Sequence, residues 1–211
     1  MNPIRYFINT EEEYFLLPYI SNSKLGELER KNYIKGERGL SVGKLFDRMV
    51  TKPDEVDNED ANFSLVVQLY ETYSRSAIAK MLNSFENQAV FINELALGVV
   101  VKCMMDKYRD SLRVGVDFKV FKAHSESGIL STINTFDIDR QVAHYMICGG
   151  LNRYDLCVMS SDRPKQEPFY IRIDKGSKIF RTGLQKWNIS MSVLMSRSGL
   201  SSDWLKDYES I

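Results

Sequence analysis

The sequence has 211 residues, and its 28 lysine and arginine residues balance 28 aspartate and glutamate residues, so the formal net charge is zero. Hydrophobic residues make up 44% of the chain and charged residues 27%, a globular composition that excludes wholesale disorder. Neutrality argues against a protein that coats nucleic acid by bulk attraction, but it is compatible with a basic groove around an acidic site. The length predicts one domain over residues 1–211.

Three further features narrow the class of protein. No apolar run approaches the ~18–20 residues of a membrane span, so we expect no membrane partner. The first 15 residues turn acidic too early for a secretory signal or a transit peptide. The cysteines at positions 103, 148 and 157 are too few and too scattered for a disulfide framework or a CxxC metal site. We therefore expect a protein of a reducing cytoplasm.

The first part of the chain predicts helices. Residues 21–33 begin with helix-capping residue types, and residues 36–39 indicate a turn. Apolar residues at helical spacing predict a short helix over residues 41–53, which a proline ends. The acidic run at residues 54–60 predicts an exposed loop. Residues 62–86 predict one long amphipathic helix.

The middle of the chain predicts an antiparallel meander of three strands, at residues 88–94, 97–106 and 113–121. The hydrophilic stretch 107–112 indicates the loop of a hairpin. The remaining elements are a helix at 137–148, strands at 154–159 and 168–173, and a helix at about 176–196. This order predicts an α/β (α+β) fold, with a central mixed β-sheet flanked by helices.

The strongest candidate site combines Asp106, at the end of one predicted strand, with Asp117 and Lys119 in the next. Because side chains alternate along a strand, Asp117 and Lys119 share one face while Phe118 anchors the other. Two carboxylates and the backbone carbonyl of Phe118 are ligands suited to Mg²⁺ or Mn²⁺, and the nearby ammonium suits a phosphate. A salt-bridged hairpin explains the same spacing without a metal.

Further polar residues fit this site. Asp47 lies one helical turn after Gly43, and a close backbone approach at Gly43 would turn Asp47 toward the same space. Gln141 and Tyr145 are four residues apart on the predicted helix 137–148, so they share a face that can hold a phosphate or a water molecule. The two histidines, at positions 124 and 144, lack metal-ligand spacing and are interpreted as surface or packing residues.

These motifs together resemble the PD-(D/E)XK nuclease superfamily, and most of all the RecE-like and lambda-exonuclease-like phage recombination exonucleases. The resemblance is carried by Asp106, by Asp117-Phe-Lys119 eleven residues later, and by the Gln141-x-x-x-Tyr145 pattern 22 residues after Lys119. The segments 20–25 and 43–47 also look like the opening of that family. It implies a restriction-endonuclease-like core of order αβββαβ.

The resemblance also implies roles. Asp106, Asp117 and the Phe118 carbonyl would bind Mg²⁺ or Mn²⁺, with Asp47 as a further ligand or as an acid beside the ligands. Lys119 would be the catalytic lysine, and Gln141 and Tyr145 would orient Lys119 or the scissile strand. The substrate would be DNA, cut at its ends in phage or mobile-element recombination, with a single-strand annealing protein and a homo-oligomer as expected partners. Basic residues near the site in the predicted fold are candidates for phosphate contacts: Lys102, Lys122, Arg140, Lys178, Arg181 and Lys186.

Some alternatives stay open at this stage. Val120 follows the lysine where many relatives have threonine, and Cys103 stands where glycine is common. In a second register Asp117 is the first acid and the second motif falls at 128–130, which implies an inactive nuclease. An endonuclease on the same core, or a nucleic-acid-binding module without catalysis, are the other functions to test.

Overall fold

The computed structural model describes residues 3–6, 11–28 and 37–208, and its centre is a six-stranded sheet. The strands are β1 (Ile4–Tyr6), β2 (Glu86–Glu94), β3 (Val100–Arg109), β4 (Val114–Phe121), β5 (Arg153–Ser160) and β6 (Phe169–Asp174). They lie side by side in chain order. Neighbours are antiparallel, except that β4 and β5 are parallel. The sheet is therefore mixed, and the predicted meander of β2, β3 and β4 is confirmed.

Helices cover both faces of this sheet. They are α1 (Glu11–Leu16), α2 (Asn22–Leu28), α3 (Glu37–Thr51), α4 (Phe63–Arg75), α5 (Ala77–Leu82), α6 (Glu126–Thr135), α7 (Ile138–Cys148) and α8 (Lys178–Arg197). Short 3₁₀ segments lie at Pro53–Glu55, Ala96–Gly98, Asp110–Leu112 and Asp203–Tyr208. The α+β class with a helix-flanked mixed sheet is confirmed. No helix in the described ranges has the length and apolar character needed to cross a membrane.

The alternation of side chains along the strands divides the interior into two apolar cores. On one face, Val116 and Phe118 of β4 pack with α3, α4 and α5. On the other face, Leu156 and Val158 of β5 pack with α7 and α8, whose Trp187 is fully buried. Strand β4 therefore contributes apolar residues to the first core and is left with Asp117 and Lys119 on the second face, as the alternation predicted.

The long helix predicted over residues 62–86 is wrong, because the chain breaks at Ser76 into α4 and α5. Ser76 has extended backbone angles (φ −70°, ψ 157°), and its hydroxyl accepts a hydrogen bond from the Ala79 N–H. A serine in this position satisfies a free N–H group at the start of the second helix. The apolar periodicity runs through the break, which is why periodicity alone merged the two helices.

Other boundaries also differ from the predictions. Gly39 lies inside α3 and not in a turn, whereas Gly36 and residues 29–33 of the predicted first helix are outside the described residues. Strand β3 continues through Arg109, so the hairpin loop is shorter than predicted. Three elements, β1, α1 and α6, are not predicted by the sequence pattern. The first two are short elements of three and six residues, too brief for a periodic pattern.

Candidate active site

The site forms where β3 and β4 separate. These strands pair at only three positions, of which Lys107 opposite Val116 is the last. On its other side β4 stays paired with β5 over its whole length, from Val114 to Phe121. Beyond Val116 the edge of β4 that faces β3 therefore has no strand paired with it. Asp117, Phe118 and Lys119 lie on this stretch.

Asp106 occupies the opening and replaces the missing backbone ladder. Its Oδ2 accepts a hydrogen bond of 2.7 Å from the Phe118 N–H, a group that would otherwise lack a partner at the opening. The strand on the other side of β3 is also distorted here, because Gln88 has a left-handed φ of 51° and the ladder register omits the Gln88–Asp106 position. The local backbone thus turns Asp106 toward β4.

Asp117 and Lys119 form an ion pair across one face of β4. The Asp117 side chain is 4% exposed and that of Lys119 is 19% exposed, so the site reaches solvent on the lysine side. Because the two residues are two positions apart in a strand, their side chains lie on the same face and this contact follows directly from the sequence. The trio of Asp106, Asp117 and Lys119 therefore converges, as predicted.

Helix α3 brings a third carboxyl group to the opening. Phe46 packs edge to face on Phe118, with the ring centroids 6.0 Å apart, and the next residue, Asp47, comes close enough to Asp106 and Asp117 to interact with both charges. The Oδ1 atom of Asp47 is buried and has no hydrogen-bond partner. The close backbone approach expected at Gly43 is absent, because a Cβ atom there would meet nothing within 4 Å.

Asp47, Asp106, Asp117 and Lys119 form what we term the acidic cluster, and its charges are unbalanced. Burial, and then the charge of Asp117, raises the pKa of Asp47 to about 7. Burial and the Asp117 charge also raise the pKa of Asp106 well above its usual range. For Lys119, burial alone would lower the pKa, but the charges of Asp117 and Asp106 outweigh it and raise the pKa. Three carboxyl groups thus share one ammonium.

Helix α7 contributes an amide and a phenol. Gln141 Nε2 donates a hydrogen bond of 3.3 Å to Asp117 Oδ2, and Tyr145 lies one turn later on the same face of the helix. The predicted shared face of these residues therefore contacts Asp117. Their roles in binding or catalysis remain predictions.

Tyr154 of β5 also borders the site, and the analysis of the sequence missed it. It lies beside Gly115 of β4, and its ring packs edge to face on the Tyr145 ring with centroids 5.5 Å apart. Its side chain is fully buried, and its hydroxyl group has no hydrogen-bond partner. No signal in the sequence indicates this role, because the place of Tyr154 opposite Gly115, two residues before Asp117 on the same face, depends on the pairing of β4 with β5.

The composition of the acidic cluster fits a divalent cation. Carboxylate oxygens are the ligands of Mg²⁺ and Mn²⁺, and an unpartnered buried carboxylate oxygen such as Asp47 Oδ1 requires compensation. Within residues 3–6, 11–28 and 37–208, however, no three His, Cys, Asp or Glu side chains are arranged tightly enough to enclose a cation as they stand. The fit is therefore one of chemistry and charge.

Three of the six predicted phosphate contacts are held inside the protein. Lys102 Nζ donates hydrogen bonds of 2.7 Å to the carbonyl groups of Tyr14 and Leu17. Buried Arg140 donates to Asn22 Oδ1 at 3.2 Å, and Lys186 Nζ lies 2.9 Å from Asp137 and from Asp139. The structure therefore contradicts Lys102, Arg140 and Lys186 as phosphate contacts, because their charged groups already have internal partners.

The other three predicted contacts, Lys122, Lys178 and Arg181, are exposed. Lys122 directly follows β4, three residues after Lys119. Lys178 and Arg181 open α8, which follows the end of β6 that pairs with the beginning of β5. Only Lys122 therefore lies at the end of the sheet toward which Lys119 is placed.

His144 is a packing residue, as predicted. It is fully buried, with Nε2 2.9 Å from the Lys102 carbonyl oxygen and Nδ1 3.2 Å from the Trp187 indole N–H. The indole can only donate, so Nδ1 accepts and Nε2 carries the proton of a neutral ring. The alternative register with a motif at 128–130 is wrong, because these residues lie inside α6.

Neither a protein-family model nor a curated protein matches the sequence. A solved structure does match: a protein from Eubacterium rectale that is named as a putative exonuclease, with a TM-score of 0.64 and 18% sequence identity. The match covers 93% of this chain and 89% of that one. This chain shares the fold of the Eubacterium rectale protein. The shared fold is consistent with the resemblance to PD-(D/E)XK exonucleases.

Two further solved structures are more distant. An alkaline exonuclease from Laribacter hongkongensis has 15% identity and a TM-score of 0.43, with 94% of this chain and 98% of that chain covered. A phage-related exonuclease from Haemophilus somnus has 12% identity and a TM-score of 0.43, with 85% and 96% covered. At these scores they add no argument about this chain.

Proposed function

We propose that this chain is a divalent-cation-dependent deoxyribonuclease, an exonuclease that hydrolyses phosphodiester bonds at DNA ends in phage or mobile-element recombination or repair. The observation that carries the proposal is the meeting of Asp106, Asp117 and Lys119 where β3 and β4 separate. The shared fold with the Eubacterium rectale protein supports it. We propose one such domain over residues 1–211, acting in the cytoplasm.

The residues that would hold Mg²⁺ or Mn²⁺ are Asp106, Asp117 and the Phe118 carbonyl, with Asp47 as a further ligand. In a strand the N–H and C=O groups of one residue point to the same side. The Phe118 N–H faces Asp106, so its carbonyl group is expected to face the same opening. A divalent cation there supplies a Lewis acid that offsets the negative charge developing on the phosphate during hydrolysis.

The side chains of the chain supply the remaining chemistry. The Lys119 ammonium, on the solvent side of Asp117, is placed to orient a water molecule for attack and to stabilise a phosphate oxygen. Gln141 holds Asp117 by its hydrogen bond and so fixes the direction of that carboxylate. The low exposure of Asp117 keeps water away from the carboxylates, which strengthens electrostatic interactions in the site.

The DNA backbone would approach from the side on which Lys119 is exposed. We propose Lys122 as the phosphate contact near the point of cleavage, because it follows β4 and its side chain is exposed. Lys178 and Arg181 would contact DNA farther from this point. A homo-oligomer and a single-strand annealing partner are proposed from the family resemblance alone.

The proposal is tested with end-labelled linear duplex DNA and closed circular DNA, each incubated with Mg²⁺ or with a chelator. We expect Mg²⁺-dependent loss of the linear substrate and an intact circle. Asp106→Asn and Asp117→Asn should lose this activity, whereas Asp54→Asn, at an exposed acid outside the site, should keep it. Cleavage of the circle would indicate an endonuclease. DNA binding without cleavage would indicate a binding module and would overturn the proposal.

A further inference from the structure

Tyr154 carries a polar group that the fold itself does not use. Its side chain is 0% exposed, and its hydroxyl group has no hydrogen-bond partner. Leaving a buried hydroxyl group unsatisfied costs about 1–3 kcal/mol, so phenylalanine would pack the same space at lower cost. Buried polar groups in proteins are nearly always paired, and an exception calls for an explanation.

The position of this hydroxyl group is fixed by the backbone around it. A Cβ atom at Gly115 would lie 2.5 Å from Cε2 of Tyr154 and 2.6 Å from Sδ of Met105, so only glycine leaves room for the ring. The Tyr145 ring packs against the other side at an interplanar angle of 88°. The ring therefore has little freedom to turn its hydroxyl group toward a different partner.

The surroundings of the ring point toward the acidic cluster. Tyr154 pairs with Gly115, and Asp117 lies two residues along the same face of β4, within reach of an aromatic side chain on the neighbouring strand. Burial, and then the charge of Asp117, raises the pKa of Tyr154, and the charge of Asp106 acts in the same direction. At neutral pH the phenol is therefore a hydrogen-bond donor beside two carboxyl groups.

We propose that Tyr154 is a positioning residue whose hydroxyl group donates a hydrogen bond to the ligand oxygens of the acidic cluster once a divalent cation is bound. This inference rests on the proposed cation site. In the structure Oδ2 of Asp106 accepts from the Phe118 N–H, Oδ2 of Asp117 contacts Lys119 and Gln141, and no carboxylate oxygen is paired with the phenol. A bound divalent cation would change the contacts of these carboxylates, and the Tyr154 hydroxyl group would then donate to one of their oxygens.

The test compares Tyr154→Phe with Tyr170→Phe. Tyr170 is the matched control, because its hydroxyl group does have a partner, Asp155 Oδ2 at 2.7 Å, away from the acidic cluster. The melting temperature is measured without divalent cations, and Mn²⁺ affinity is measured by titration calorimetry. We expect Tyr154→Phe to leave the cation-free melting temperature unchanged or higher and to weaken Mn²⁺ binding about tenfold. Tyr170→Phe should lower the melting temperature by about 3 °C or more and leave Mn²⁺ affinity unchanged.

Two other results would be decisive in the opposite sense. If wild-type protein binds Mn²⁺ and Tyr154→Phe binds it equally well, the hydroxyl group has no role toward the cation, and this inference fails while the proposed function stands. If wild-type protein does not bind Mn²⁺ at all, the proposed function fails and this inference fails with it. A Tyr154→Phe protein that melts lower than Tyr170→Phe would show that the hydroxyl group is a structural donor.

Discussion

Two groups of buried charges contact α7, and they differ in the ratio of acidic to basic groups. The acidic cluster has three carboxyl groups and one ammonium. The second group, which we term the α7–α8 network, consists of Asp137, Asp139, Arg140 and Lys186, two acids and two bases. Lys186 Nζ lies 2.9 Å from Asp137 Oδ1. It also donates hydrogen bonds to Asn134 Oδ1 at 3.1 Å and to the Asn134 carbonyl oxygen at 2.8 Å.

We interpret this difference in charge balance as a difference in role: the charges of the α7–α8 network stabilise the fold, and those of the acidic cluster bind a ligand. In the α7–α8 network, burial raises the pKa of Asp139, but the Lys186 ammonium acts against this shift. In the acidic cluster the neighbouring carboxyl charges add to the effect of burial on Asp47 and Asp106, and together they outweigh the opposing charge of Lys119. A network with internal partners needs no further ion, whereas a cluster with excess carboxyl groups is stabilised by protonation or by an added cation.

The first prediction tests this difference in role with the same substitution, aspartate to asparagine, in each group. Asp117→Asn removes one of the crowded charges and a proposed ligand, so we expect a loss of nuclease activity of about 10³-fold, or ~4 kcal/mol, with an unchanged or higher melting temperature. Asp139→Asn removes a paired charge and should lower the melting temperature while the activity of the folded protein is kept. Activity is measured on end-labelled linear DNA and stability by thermal unfolding.

The opposite pattern would contradict this assignment. If Asp117→Asn unfolds more readily than Asp139→Asn and stays active, the acidic cluster is a structural ion pair. The salt-bridged hairpin that the sequence also allowed would then be the correct interpretation.

The second prediction concerns the base of the α7–α8 network. Lys186→Met leaves Asp137 and Asp139 buried without their shared ammonium, and removal of one partner from a buried ion pair is strongly destabilising. Because the Lys186 side chain keeps 21% exposure, solvent screens part of this cost, and we expect a loss of about 2–3 kcal/mol in the free energy of unfolding. Urea denaturation measures it, with Lys178→Met, at an exposed lysine, as the control. Equal stability of the two variants would show that the network is not a stabilising element.

The acidic cluster could be predicted largely from the sequence, whereas the α7–α8 network could not. The contact of Asp117 with Lys119 follows from the two-residue repeat of a strand, and that of Gln141 with Tyr145 from the turn of a helix. Both are local relations. Lys186 and Asp139 belong to different helices, and nothing in their spacing indicates that they meet.

The same distinction explains the failed predictions. Lys102, Arg140 and Lys186 are expected as phosphate contacts from their proximity to the site in the predicted fold, but each finds an acceptor far away in the chain: Lys102 in the segment after α1, Arg140 in α2. The break at Ser76 is a local feature, yet its apolar neighbours keep helical spacing through it. Tyr154 was missed because its relation to Asp117 depends on the parallel pairing of β4 with β5.

The third prediction concerns the pH dependence of stability that arises from the buried His144 of α7, with His124 as the control. Burial lowers the pKa of His144 to about 4, although its hydrogen bond to the Lys102 carbonyl opposes the shift. The unfolded chain, with a histidine pKa near ~6.5, therefore binds a proton more readily than the folded protein, and stability is lost as the pH falls from about 6.5 toward 4. Between pH 7 and pH 5 we expect this histidine to account for about 2 kcal/mol.

The measurement for the third prediction is a difference. The free energy of unfolding is determined at pH 7 and pH 5 for wild type, His144→Gln and His124→Gln. Asp47, whose pKa is raised to about 7, changes charge in the same range, but it is present in all three proteins and its contribution cancels. His144→Gln should flatten the pH dependence, and His124→Gln, at an exposed position, should leave it as in wild type. A slope that is the same in all three proteins would mean that His144 does not titrate below its ordinary range.

The fourth prediction, with the smallest expected effect, is the increase in melting temperature when Mn²⁺ binds. A cation that binds only the folded protein stabilises it by about 1.4 kcal/mol at ten times its dissociation constant, so Mn²⁺ should raise the melting temperature of the wild type by about 3–5 °C. Asp106→Asn and Asp117→Asn should lose this increase, because each removes a proposed ligand. Asp139→Asn starts from a lower melting temperature but should show the full increase, because the α7–α8 network has its own cation in Lys186. An increase that disappears in Asp139→Asn and persists in Asp117→Asn would place the binding site in the α7–α8 network and remove the distinction between the two groups.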